Sequence, residues 1–328
     1  MRFLLTDEQS DFARTLRSLL GAADVPAAVR AWAAGDLNPG RAVWARLADT
    51  GLFALAVPEE YDGAGLLPLE LALGFVELGR AGVPGPVVES AAVSVLLSEL
   101  GDEALAKRFL PALAAGEASA TLTLPGGSPY ALDADAATYC FTVSAAGELR
   151  LTHGIAAERQ ASLDPARRLS RLPAAGALIA TGPAVSAAAE TAGRWARLLT
   201  AAQCLGTGEA LLARTVEYAK QRTQFGTPIG SFQAVKHRLA DTLLGLEFAR
   251  PLLWAAALSL SPADVAAAKL TAGEAAYAAA MSALQLHGAV GYTEELDLSL
   301  WLRKARPLRD AWGTPSACRA EVLQPRVR

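Results

Sequence analysis

The chain has few of the residues that staple or ligate. Among its 328 residues are three cysteines, Cys140, Cys204 and Cys318, far apart and with no Cys-x-x-Cys pair. An odd, scattered set fits reduced thiols in a cytoplasmic protein better than a disulfide framework. The three histidines, His153, His237 and His287, are as dispersed and lack metal-ligand spacing, so no metal site is expected. Charge of one sign is missing too: 30 Lys and Arg against 33 Asp and Glu leave a net −3, which argues against nucleic acid as the main partner. No uninterrupted apolar run is long enough to span a bilayer, so no membrane association is expected. Met1-Arg2-Phe3-Leu4-Leu5 gives way at once to the polar Thr6-Asp7-Glu8-Gln9, so no signal peptide is expected either.

What is plentiful is apolar. Hydrophobic residues make up 52% of the chain and mean hydropathy is +0.26, carried largely by Ala and Leu on wide helix faces. The length suffices for one to three domains, and helices buried on several sides suit a bundle that also oligomerises.

Thr6 as N-cap and Gln9 at N3 predict a capping box, followed at helical spacing by Phe12, Leu16, Leu19 and Leu20. Further helices are predicted from Val43 to about Thr50, Leu69 to Gly79, Ala91 to Leu100, and Leu105 to Gly116 through Pro111. Leu52 to Gly65 reads as a buried apolar crossing and a glycine turn. From Ala118 to about Ala184 the pattern changes to short strands: 121–124, 138–143, 149–152 and 177–180, between Gly, Pro and Asp turns. Helices return at about Val185. One runs to Arg222, the next carries Val235, Leu239, Leu243 and Leu246 on one face, a third spans Pro262 to His287, and a last covers Glu295 to Arg306. The third has few charges (Asp264, Lys269, Glu274) and is expected at the centre of a bundle.

Arg222 stands where a helical run ends in a basic turn before Gly226 and Pro228, with Gln233 opening the next helix. A guanidinium fork and free N–H groups at such a corner suit a phosphate or diphosphate, and equally let Arg222 neutralise the end of the first helix. Glycines 288 and 291 let backbone approach a ligand beside Gln285; a plain helix cap at Gly288 accounts for one of them as well. The run Leu205-Gly206-Thr207-Gly208-Glu209 lies inside a helical pattern without a preceding strand, and reads as a close helix–helix contact rather than a dinucleotide loop.

Arg222-x-x-Phe225-Gly226-x-Pro228-Ile229-x-x-Phe232-Gln233, followed by Leu239-Ala240-Asp241, resembles the signature of the acyl-CoA dehydrogenase family. Gln285 to Tyr292 resembles its Gln-x-x-Gly-Gly-x-Gly segment, with Ala289 for the second glycine. Val57 to Gly65 resembles its N-terminal domain, so the resemblance covers most of the chain. It implies a mostly α fold: an N-terminal helical domain (1–117), a small, shortened β-domain (118–184) and a C-terminal four-helix-bundle domain (185–328). It also implies FAD shared across a subunit interface. The cofactor contacts implied are Arg222, Gln224, Phe225, Phe232, Gln233, Gln285, Leu286, Gly288, Ala289 and Gly291 on a neighbour's adenine and diphosphate, together with Thr314.

The flavin-ring side departs from the family. Its Thr-Glu-Pro-Gly-Ala-Gly-Ser-Asp loop is here Thr123-Leu124-Pro125-Gly126-Gly127-Ser128-Pro129-Tyr130, without the Glu and the Asp, and Leu151-Thr152-His153-Gly154 is the nearest remnant of a Trp-Ile-Thr-Asn strand. The family's catalytic Glu, which takes an α-proton while hydride passes to the flavin, falls on Trp312, and an indole cannot act as a base. A second family position for the base falls near Ala196. Asp310 is two residues from Trp312 but on a helix faces the other side. Trp312 reads as a plug in a vacated acyl pocket. Arg303, Lys304, Arg306, Arg309 and Arg319 form a basic region that suits CoA phosphates, an acidic partner or a solvated face.

The pattern resembles the shorter, degenerate subunit of heteromeric α2β2 acyl-CoA dehydrogenases of actinobacterial steroid side-chain degradation. It implies a partner, a paralogous subunit or a second copy, that supplies the base for an acyl-CoA or acyl-carrier thioester. Two rivals stand beside it: a self-sufficient oxygenating flavoprotein on the same fold, and a flavin-free scaffold.

Overall fold

A computed structural model of the chain describes residues 4–153, 159–173 and 176–324. Helix α1 (Asp7–Gly21) opens on the predicted capping box: Gln9 N–H donates to Thr6 Oγ1 (3.2 Å) and Thr6 N–H to Gln9 Oε1 (3.0 Å). Helix α2 (Val25–Ala34) was not expected, although its signals are in the sequence. Asp24 caps it, Pro26 lies in its first turn, and Gly35 ends it at φ 99°. Helix α3 (Asn38–Ala48) begins earlier than Val43, again on a proline. The expected apolar crossing is the antiparallel pair β1 (Ala56–Val57) and β2 (Gly65–Leu66). Helices α4 (Pro68–Ala81), α5 (Val87–Glu99) and α6 (Glu103–Ala114) complete the first part, with Pro111 carried inside α6.

The middle of the chain is β-structure: β3 (Ala120–Thr123), β4 (Ala131–Leu132), β5 (Tyr139–Val143), β6 (Glu148–Thr152), β7 (Arg159–Gln160), β8 (Leu169–Ser170) and β9 (Ala177–Thr181). The four expected strands form one sheet in the order β3-β5-β6-β9, parallel only between β3 and β5. The others, two residues each, are too short to leave a period and form a second sheet, β4-β8-β7. Of the expected Leu151–Gly154 remnant, Thr152 ends β6 and His153 packs edge-on to Tyr139 (5.8 Å), while Gly154 lies outside the described residues.

Helix α7 (Pro183–Gln221) is followed by the hairpin β10 (Thr223–Gln224) and β11 (Thr227–Pro228), then α8 (Gln233–Ser259), α9 (Pro262–His287), α10 (Leu298–Asp310) and α11 (Pro315–Val322). The last was missed, and Asp310 ends α10 four residues beyond the expected stop. The glycine run in α7 is a helix contact, as expected. A Cβ on Gly206 would lie 1.8 Å from the Val76 carbonyl oxygen, and one on Gly79 2.2 Å from that of Gln203, so α4 and α7 touch backbone to backbone. Around this crossing, Arg17 and Arg80 share Glu77 (2.7 and 3.1 Å), and Arg80 and Arg250 share Glu209, tying α1, α4, α7 and α8 together. Helix α9 is central: Val265, Ala268, Ala272, Ala276 and Lys269 are all buried.

Helix α8 differs from expectation. Leu246 is buried, but Leu243, Leu244, Phe248 (69% exposed) and Leu252 remain open. Its apolar stripe is wider than the other helices of one chain cover. Among the described residues no helix is long and apolar enough to cross a membrane, and no group of three or more His, Cys, Asp or Glu is placed to hold a metal ion.

Candidate functional site

The residues singled out by sequence fall at opposite ends of α7. At its C-terminal end, Arg222 leads into a two-residue hairpin closed by Ile229 N–H on the Arg222 carbonyl (2.8 Å). Phe225 (φ 54°) and Gly226 (φ 80°) form its tip, the left-handed pair that a tight hairpin turn requires. Phe225 is therefore thrust outward, 92% exposed, edge-on to Phe232 (6.2 Å). Arg222 and Gln224 are exposed, and among the described residues the Arg222 guanidinium has no partner. Gln233 opens α8, whose first turn has no side-chain cap; the Val235 N–H turns back to the Phe232 carbonyl (3.1 Å), which leaves the N–H groups of Gln233 and Ala234 for an anion.

Tyr218 brings the second motif to this corner. Its ring stacks on His287 (4.1 Å) and its hydroxyl donates to the His287 carbonyl (3.3 Å). Burial holds the His287 imidazole below its ordinary pKa, so it serves as an uncharged platform. Gln285 and Ala289 are exposed and Leu286 is half-buried. Gly288 (φ 63°) caps α9, and Gly291 is buried where a Cβ would press to 3.2 Å from the Leu284 carbonyl oxygen. Gly288 is thus a helix cap, next in the chain to the His287 that stacks on Tyr218.

Thr314 is elsewhere. It caps α11, accepting from Ala317 N–H (3.2 Å), on the wall of a cleft of about 1120 Å³. The cleft lies between the β3–β4 loop, the first half of α7 and the turn that follows α10. Arg194 on that half of α7 is 27 residues from Gln221, roughly 40 Å along a helix axis. A single dinucleotide within one chain does not reach both ends.

Trp312 lines this cleft at φ 56°. Its indole N–H donates to Glu89 Oε1 (3.0 Å), and its carbonyl accepts from Arg197 Nε (3.0 Å), while Arg197 also pairs with Glu321. Lys269, its charged form disfavoured by burial, donates to the carbonyls of Arg309 (2.8 Å) and Gly313 (3.1 Å). The turn is pinned from three sides, yet Trp312 does not fill the cleft. Glu89 was not foreseen, although a lone carboxylate in Val87-Val88-Glu89-Ser90-Ala91-Ala92-Val93 is a visible signal. Burial raises its pKa, against Arg167 and the Trp312 hydrogen bond, and among the described residues its Oε2 has no hydrogen-bond partner. Behind Trp312 a smaller cavity of about 30 Å³, lined by Glu89, Asp133, Arg167, Gln203 and Lys304, has room for ordered water.

The positions that the resemblance assigns to the base hold Trp312 and Ala196. Ala196 is fully buried, and Asp310 pairs with Arg306 (3.3 Å). In the β3–β4 loop Ser128 and Tyr130 bond to each other, and Leu124 reaches α7, so that a Cβ on Gly193 would sit 3.2 Å from it. The basic C-terminal residues are neutralised: Arg303 by Glu294, Lys304 by Asp164, Arg306 by Asp310, and Arg309 and Arg319 by Glu274. The corner thus suits a diphosphate, with an unpaired guanidinium beside uncapped amides.

Residues 6–117 match the model of the acyl-CoA dehydrogenase N-terminal domain and residues 186–323 that of the C-terminal domain. The chain is 37% identical over 304 residues to acyl-CoA dehydrogenase IpdE2 of Mycobacterium tuberculosis, 91% of each chain being covered. To acyl-CoA dehydrogenase IpdE2 of Mycolicibacterium smegmatis it is 31% identical, with 95% of this chain and 96% of the relative covered. The fold superposes on one chain of the crystal structure of the ChsE4-ChsE5 complex from Mycobacterium tuberculosis with a TM-score of 0.83 at 24% identity, covering 98% of this chain and 98% of that one.

Proposed function

The chain belongs to the acyl-CoA dehydrogenase family, and from that premise we propose that it is a base-less subunit that completes a partner's FAD site. The family comprises FAD-dependent oxidoreductases, and FAD when bound supplies the hydride acceptor for α,β-dehydrogenation of an acyl thioester. In this reading Arg222 and the uncapped start of α8 hold the diphosphate of a neighbour's cofactor. Gln285, Gly288, Ala289 and Gly291 border its adenine, and Gln224, Phe225, Phe232 and Leu286 shape the approach. Thr314 belongs to the other end, in this chain's own cleft. The partner is a paralogous chain that brings the carboxylate and the thioester pocket.

One observation carries the reading: the Arg222 corner is assembled, uncapped and exposed, while the base position is an indole bonded to Glu89. The open apolar face of α8 supports an oligomer, since a monomer gains nothing by leaving Leu244 and Phe248 in water. A complex of two differently named chains among the structural neighbours fits a heteromer. Three free, buried cysteines suit a cytoplasmic setting. Co-expression with a paralogous, Glu-bearing chain tests it. Flavin and thioester dehydrogenation are expected only in the mixture, and Arg222→Gln should lower flavin retention there roughly tenfold. A fully active, flavin-replete homo-oligomer of this chain overturns the proposal.

A further inference from the structure

The cleft at the N-terminal end of α7 has no role in the reading above, yet its lining is not that of an inert hole. Leu122, Leu124, Leu132 and Leu169 supply apolar walls. The same space is lined by Arg167 and Arg194, both half-buried, and neither guanidinium has a hydrogen bond or ion pair among the described residues. The other cations nearby are all engaged: Arg197 by Glu321 and the Trp312 carbonyl, Lys304 by Asp164, Arg306 by Asp310. Arginine presents five donors that water satisfies cheaply at a surface; two guanidinium groups without a hydrogen bond in a half-closed apolar cleft, that of Arg167 coupled only through space to Glu89 and Asp133, still have donors for an anion. The acidic side chains on the lining do not quench them. Among the described residues Glu190 makes no ion pair, although it stands one turn before Arg194, and Glu89, one oxygen on Trp312, is within electrostatic reach of Arg167 without bonding to it. At about 1120 Å³ the space is ample for a small molecule.

We propose that this cleft binds a free organic acid, an apolar body ending in a carboxylate, held by Arg167 and Arg194. No flavin and no coenzyme A moiety is required, so the site is independent of the FAD-completing role and operates in the chain alone. Trp312 borders the ligand, which gives the binding an intrinsic fluorescent signal.

The test uses the purified full chain, with titrations followed by calorimetry and by tryptophan fluorescence. Octanoate is the probe, octanamide its uncharged match, and octanoyl-CoA the thioester of the same length. Saturable 1:1 binding of octanoate is expected, with octanamide at least tenfold weaker. Arg167→Gln and Arg194→Gln should each lower octanoate affinity about tenfold, the loss of one charge-assisted contact. Arg14→Gln, on the exposed face of α1, should leave it unchanged. Circular dichroism checks folding, and Arg194, on a half-buried helix face, remains informative should the Arg167 variant misfold. Equal affinity for octanoate and octanamide, or arginine variants that bind like the parent, overturns the proposal. Tight binding of octanoyl-CoA with none of octanoate overturns it too, returning the cleft to thioester recognition. None of these results bears on flavin retention in the two-chain mixture.

Discussion

Replacing Asp133 by Asn should stabilise the protein above neutral pH and flatten its pH profile. Asp133 is 1% exposed and accepts from Trp32 Nε1 (3.0 Å) through Oδ1, while Oδ2 has no hydrogen-bond partner among the described residues. Burial, reinforced by Glu89 and opposed by the Trp32 hydrogen bond and by Arg167, lifts its pKa from 3.8 to about 7. The folded chain therefore holds this proton more tightly than the unfolded chain. The stability so contributed is fully present below pH 3.8 and is lost as pH rises through about 7. At 1.36 kcal/mol per pH unit the whole loss is about 4 kcal/mol, of which roughly 2 falls between about pH 5.5 and about pH 8. Asn keeps the Oδ1 acceptor, places an amide where the acid carries its proton, and tolerates the φ of 52° at this position. Urea unfolding of parent and Asp133→Asn at both pH values measures the effect. The stability difference should shift in favour of the variant by about 2 kcal/mol on going to the higher pH. Parallel profiles for the two proteins would refute the reasoning, because a carboxylate ionised throughout gives no such widening.

Trp312→Phe removes the indole donor and leaves Glu89 with both oxygens unpartnered, so chemical denaturation should show a loss of about 1–3 kcal/mol. Gly79→Ala sets a methyl against the Gln203 backbone and should destabilise by about 3 kcal/mol or more, seen as a lowered Tm. Thr6→Ala breaks the capping box at the cost of about 1 kcal/mol in the same assay. A Leu244→Asp, Phe248→Asp double variant should keep its helical circular dichroism but lose the assembly by light scattering; an unchanged mass would separate the α8 face from oligomerisation.

Much of this was legible in the chain itself, for local reasons. Thr6 and Gln9 carry their own geometry, and α9 was read to its ends, Pro262 and His287, because proline and glycine bracket it. The glycines of α7 could be taken as a helix contact because no strand precedes them. The Arg222 corner and the Gln285 segment were recognisable as two motifs, but their meeting depends on Tyr218 stacking on His287, a contact between residues 69 apart. Helices α2 and α11 were overlooked although Asp24, Gly35 and Thr314 cap them, because short helices leave too few turns to establish a period. Glu89 was passed over for a different reason. A single acid inside an apolar helix has no local signature, and only the partner 223 residues away shows that it belongs to the cleft.

Helix α7 is one uninterrupted rod of 39 residues, with the Arg222 corner at one tip and the cleft toward the other. Two such rods can each lend a corner to the other's cleft only if they lie head to tail about a twofold or near-twofold axis. That geometry always creates two composite compartments together. If the rods come from unlike chains, the compartments are unlike as well. One pairs this chain's corner with the partner's cleft and can hold the reaction. Its twin pairs this chain's cleft, with Trp312 in place, with the partner's corner. On the proposed function, a mixed dimer built this way would carry one working flavin for every two polypeptides.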